Sequence, residues 1–111
     1  MERRICESDW MRLRQLRPLA LDRFCQRVLS EVIRLSADDA TSSHERYLAV
    51  SQLIEERDSE LAAAFDGLRR STAFVQLARL RSLGLVTDVE FAGFSAETQG
   101  VVAVFLEMWR A

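Results

Sequence analysis

The chain contains no lysine: all 15 of its cationic residues are arginine. It has one proline and four glycines in 111 residues, too little punctuation to divide it into short strands. Its single histidine, His44, and its two cysteines, Cys6 and Cys25, lie far apart in sequence and lack the close spacing of a zinc site. A Cys-His nucleophilic pair needs a thiolate beside the imidazole and a third group to orient it, and no spacing here supplies that set. No apolar run reaches the ~18 residues a membrane span requires. Internal repeats, low-complexity tracts and interdomain linkers are also missing.

The lysine deficit has two readings. Codon usage in a GC-rich genome exchanges lysine for arginine without any structural motive. Alternatively, planar guanidinium forks are wanted for bidentate pairing with carboxylate or phosphate.

What is present describes a globule. Hydrophobic residues make up 49% and charged residues 29%, which excludes a disordered chain, and the length fits a single domain over residues 1–111. The net charge of −2 argues against a wholesale nucleic-acid binder, whose affinity rests on many uncompensated cations. Met1-Glu2-Arg3-Arg4 leads into Cys6, Glu7, Ser8 and Asp9 rather than an apolar stretch, so a chain without a signal peptide is expected. That implies a cytoplasmic protein with reduced cysteines. Residues 1–9 read as a mobile arm.

Apolar spacing predicts an all-α bundle of four to five helices framed by two long antiparallel ones. Residues 9–17, with Trp10, Leu13 and Leu16, form a short amphipathic helix before Pro18. The first long helix then runs from Pro18 to about Leu35. Its stripe of Leu21, Phe24, Cys25, Val28, Leu29, Val32 and Leu35 is broad enough to touch two neighbours. Ser36 to Ser43 is a polar loop, because small hydroxyl and carboxylate side chains compete for backbone hydrogen bonds. Ser42 and Glu45 make a capping box for the second long helix, which Asp66-Gly67 stops. Arg57 interrupts its apolar stripe and either extends its head group to water or pairs with a carboxylate at an interface.

The third helix covers about Ser71 to Leu83. Gly84 then ends it, and Thr87-Asp88-Val89-Glu90 caps a short fourth helix over Asp88 to Phe94. The segment from Leu77 through Gly84-Leu85-Val86-Thr87-Asp88 to Phe91 resembles the SHOCT-type short helical module. That pattern is a leucine-rich helix, Gly-Leu/Ile-Leu/Ile-Thr, an acidic capping residue and Phe. The likeness covers about 15 of 111 residues, and Gly93, Phe94 and Ser95 break the chain where the module continues directly into a basic helix. Any helix-turn-helix corner produces this pattern, so it is not taken as membership. A last helix follows Ser95, with Val101, Val102, Val104, Phe105, Leu106, Met108 and Trp109 leaving little polar face; Gly100 inside it marks a weak point or a close contact.

Charge divides by segment. Residues 44–66 carry six acids and two arginines, for −4, while residues 68–83 carry Arg69, Arg70, Arg79 and Arg81 and no acid, for +4. These charges either pair within the chain or leave the third helix to face phosphate or an acidic partner. Glu55, Glu56, Asp58 and Glu60 offer the paired carboxylates that hold magnesium in all-α pyrophosphatases of the MazG type. The Glu-Glu-x-x-Glu element of those enzymes is missing, with only Glu31 in its place.

These features point to a non-enzymatic interaction protein, an adaptor, inhibitor or regulatory subunit, acting as a homodimer through protein contacts. No cofactor, metal or catalytic residue is implied. The expected interface comprises Trp10, Arg57, Arg81, Val101, Phe105, Met108 and Trp109, since surplus tryptophan and arginine concentrate binding energy. The alternative is nucleic-acid binding, with Arg69, Arg70 and Arg79, joined by Arg12, Arg14 and Arg17, on phosphate; against it, the helix directly after Gly84 carries Asp88 and Glu90 and lacks asparagine, glutamine or arginine to read base edges. A magnesium-dependent hydrolase using the acidic cluster is the third reading.

Overall fold

A computed structural model describes residues 4–110. It is 80% helical, with no strand among the described residues, as the apolar spacing predicts. The helices are α1 (Glu7–Ser36), α2 (Ser43–Phe65), α3 (Ala73–Ser82), α4 (Asp88–Ala92) and α5 (Ala96–Arg110), with one 3-10 turn at Arg70–Thr72. No helix among the described residues is long and apolar enough to cross a membrane.

Local hydrogen-bond demand sets most boundaries. Ser42 Oγ accepts from the Glu45 amide at 3.1 Å and opens α2, while Gly67, at φ 73°, follows its end. Gly84 adopts φ 71°, and the Leu85 amide donates back to the Leu80 carbonyl at 3.0 Å, which closes α3 in the left-handed turn glycine permits. The Thr87–Glu90 capping box forms in both directions: Thr87 Oγ1 accepts from the Glu90 amide, and Glu90 Oε1 accepts from the Thr87 amide. Gly100 lies in the open, with no atom beyond its chain neighbours and its own helix backbone within 4 Å of where a Cβ would stand, so it makes no close tertiary contact.

Two expectations are corrected at the N-terminus. Pro18 does not separate two helices; α1 runs through it as one 30-residue rod. Proline removes the amide that would bond the Arg14 carbonyl, and both residues sit on the exposed side, where that carbonyl is not forced into the core without a partner. Nor is the segment from Ile5 to Asp9 a mobile arm. Ile5 is buried in the core and Asp9 is buried and hydrogen-bonded; residues 1–3 of the expected arm lie outside the described residues.

Helices α1 and α2 form an antiparallel hairpin, tied at its tip by Arg46 donating to the Ser36 carbonyl and at its base by Arg17 donating to the Phe65 carbonyl. Helices α3 and α5 pack on each other against the base. Leu13, Leu77, Leu85, Val102 and Thr98 are the largest of its fully buried side chains. Every buried residue falls within 5–28 or 64–102, and none lies between 29 and 63. The outer half of the hairpin therefore projects from the globule. Its reach gives principal extents of 57 × 26 × 23 Å and a radius of gyration of 17.0 Å, against about 13 Å for a compact chain of this length.

Candidate interaction surfaces

Most charged groups singled out in the sequence are consumed in holding these elements together. Arg23 on α1 forks onto both oxygens of Glu90 at 2.7 and 2.8 Å and also donates to the Leu85 carbonyl at 2.8 Å. That guanidinium first, and the Thr87 amide second, hold the Glu90 carboxyl at about 2 against the opposing effect of burial. Arg27 donates to the Leu83 and Gly84 carbonyls, satisfying the open end of α3. Arg81 bridges Asp88 and the Val86 carbonyl and lies 4.8 Å from the Phe91 ring centre. One lysine ammonium cannot present this planar two-acceptor fork, so the chain makes structural use of guanidinium at the hairpin–corner junction.

Asp9 plays the complementary part. Its carboxylate accepts from the Ser95 amide at 3.1 Å and from the Ser95 and Thr98 hydroxyls at 2.6 Å each, anchoring the start of α5 to α1. Burial pushes this carboxyl up, and the hydrogen bonds more than offset that, leaving its pKa below the ordinary value.

The expected interface residues are scattered by the fold. Trp10 is a core side chain at 7% exposure and is unavailable on the surface of a single copy. Arg57 is paired across the hairpin seam with Glu31 at 3.0 Å and along α2 with Glu60 at 2.9 Å. Its guanidinium lowers the Glu31 pKa. Arg81 is held at the α3–α4 corner. Val101 and Phe105 are half-buried, while Met108 at 63% and Trp109 at 42% exposure remain at the surface. Phe105 and Trp109 pack at 5.8 Å between ring centres, and Arg79 lies 5.7 Å over Trp109. Arg79, Trp109, Leu83, Ala63 and Glu60 line a groove of about 380 Å³.

Of the arginines weighed as phosphate contacts, Arg70 forks onto Glu7 and lies 5.3 Å from the Trp10 ring centre, while Arg69 is exposed. The opposite charges of residues 44–66 and 68–83 do not pair with each other: Arg70 and Arg81 engage Glu7 and Asp88, and Glu60 engages its own helix's Arg57. Among the described residues, Glu55, Glu56, Asp58 and Glu60 belong to no group of three or more ligand side chains able to hold a metal ion.

The surface that the sequence reading did not single out is the projecting hairpin. Leu29 is 59%, Ile33 67% and Tyr47 68% exposed, with Leu48 and Ile54 beside them. Its signal was the breadth of the α1 stripe, of which only one part meets α2. No protein-family model, curated protein or solved structure matches the chain.

Proposed function

We propose that this chain is a non-enzymatic helical interaction protein, an adaptor, inhibitor or regulatory subunit, that works through protein–protein contacts. One observation carries the reading. Residues 29–63 form about one third of the molecule and include no buried residue, yet they retain Leu29, Ile33, Tyr47, Leu48 and Ile54 on helical faces open to solvent. Apolar side chains left open on a globule in this number mark a candidate binding face. Two helices joined only along one seam also bury too little to be rigid alone, so the projection gains order from whatever covers it. The exposed Val104, Met108 and Trp109 on α5 form a second, smaller candidate face.

Site-specific photo-crosslinking in the native host tests this. A photoreactive residue at Ile33 or Met108 is expected to give protein adducts, whereas the same residue at exposed Gln15 should give none. Absence of adducts from both Ile33 and Met108 would remove the proposal.

A further inference from the structure

We infer that the partner covering the projecting hairpin is a second copy of this chain, laid on it face to face and head to tail, with α1 against α1 of the second copy. This rests on the interaction reading above and adds the occupant and its orientation.

The helical phase places most of the apolar side chains on one face, with Ile33 on the outer edge of α1 and Leu48 on the outer edge of α2. Counting about 100° per residue from Phe24, which points at α2, Leu21, Cys25, Leu29 and Val32 fall between about 60° and 140° and Ile33 near 180°. Counting in the same way from the seam residue Arg57, Tyr47, Ile54 and Leu61 fall between about 40° and 80°. In two right-handed antiparallel helices, positive rotation points to the same side of the hairpin plane on both. The opposite side is where Arg23, Arg27 and Glu60 lie and where Leu83, Leu85 and Glu90 of the globule dock. The apolar face is therefore the one turned away from α3 and α4. Asp58 lies within it, and Asp22 and Glu55 mark its rim.

Area, spacing and charge each favour a second copy. Two helices about 10 Å wide over ~20 residues present roughly 600 Å², close to the ~800 Å² per partner of a standard stable interface. Leu21, Cys25, Leu29 and Ile33 recur at four-residue steps and are symmetric about position 27. A two-fold axis there sets Cys25 against Leu29 of the second copy, the self-complementarity an isologous contact requires, with Leu21 and Ile33 flanking that central pair on its two sides.

The ends of the face carry opposite charge. Arg14 stands exposed at its base, with Arg17 at the seam beside it donating to the Phe65 carbonyl, and exposed Asp38 and Asp39 stand at its tip, where Asp39 is also 4.0 Å from Arg46. Arg14 is thirteen residues from position 27, about 20 Å along the axis, and Ser36, the last residue of α1, is nine, about 14 Å, with Asp38 and Asp39 in the loop just beyond it. Head-to-tail stacking thus brings each base to the other copy's tip. A parallel arrangement would set Asp38 and Asp39 against their own copies and lay α1 on α2, so charge selects the antiparallel one.

The test uses the native Cys25. In a Cys6→Ser background, Leu29→Cys is expected to form an intermolecular disulfide with Cys25 of the second copy under mild oxidation, trapping most of the protein as covalent dimer. Adding Cys25→Ser should lower that yield by tenfold or more. Residues 25 and 29 of one helix have Cβ atoms about 5–6 Å apart, too far for an intrachain bond. Without oxidant, light scattering should give twice the chain mass, and Leu29→Glu with Ile33→Glu should return it to one. Both side chains are exposed in a single copy, so circular dichroism should stay unchanged.

A single-chain mass at about 100 μM overturns the second copy. A dimer mass with no disulfide between Cys25 and the thiol introduced by Leu29→Cys overturns the head-to-tail arrangement. If the chain is monomeric, adducts from Ile33 to a different protein leave the interaction reading standing.

Discussion

Replacing Asp9 with alanine tests whether the start of the chain is a structural anchor. The side chain lost is a buried carboxylate that takes the Ser95 amide and the Ser95 and Thr98 hydroxyls, and Thr98 is itself buried. Hydrogen bonds to a charged group contribute about 1.5–3 kcal/mol each, but these three share one acceptor and are not additive. Ser95 Oγ also accepts from the Thr98 amide, so part of the α5 cap survives the substitution. The expected net loss is about 2–4 kcal/mol, which for a domain of this size lowers Tm by roughly 10–15 °C. Urea unfolding followed by circular dichroism should show an earlier midpoint with an unchanged slope. Asp9→Asn should fall between the two proteins, because its amide group sets a donor against the Ser95 amide.

The pH dependence has a fixed sign. The native carboxyl lies below its ordinary value, so its contribution is complete above the usual carboxylate range and fades as pH falls through the native pKa. The gap between wild type and Asp9→Ala should therefore be full at pH 7 and narrow in strong acid. A loss under about 0.5 kcal/mol, or a gap that does not change with pH, would refute the anchoring role.

Three further outcomes follow from the same contacts. Glu90→Gln should destabilise by about 1–2 kcal/mol at pH 7, solvent screening cutting the larger figure its pKa implies, and wild type should lose that increment between pH 4.5 and about 2 in an acid titration followed by tryptophan fluorescence. Gly100→Ala adds a methyl group to open space within α5 and should raise stability by about 0.5–1 kcal/mol in thermal melts. Gly84→Ala forces a side chain onto φ 71° and crowds Arg27 Nη2 at 3.3 Å; a loss of about 1–2 kcal/mol is expected, and unchanged urea unfolding would contradict the turn's role.

The features legible in the sequence are those decided within a few residues. Ser42 beneath the Glu45 amide, Gly84 and Thr87 with Glu90 satisfy orphan amides and carbonyls locally and Gly67 follows the end of α2, so their spacing gives α2, α3 and α4 to within about two residues, although the Ser42–Glu45 box forms in one direction only. Pro18 misleads because its local penalty falls on a carbonyl that happens to face water. Trp10 and Asp9 mislead because they are buried by α3 and α5, which lie more than 60 residues away in sequence. Arginine roles are equally non-local: Arg23 and Arg27 acquire their carbonyl partners only when the Gly84 corner docks on α1. The apolar surplus was legible as a quantity but not as a place. The broad Leu21–Val32 stripe announced two neighbours; the chain supplies α2 along its length and α3 with the Gly84 corner only at the base, leaving the outer part without a second one.

Concentration-dependent hydrogen exchange bears most directly on whether that missing neighbour exists. Amides of residues 29–54 should exchange slowly in concentrated protein and at least tenfold faster on dilution or in the Leu29→Glu, Ile33→Glu variant, while those of α3 keep their protection. Exchange over residues 29–54 that is the same at every concentration and in the variant would contradict the account.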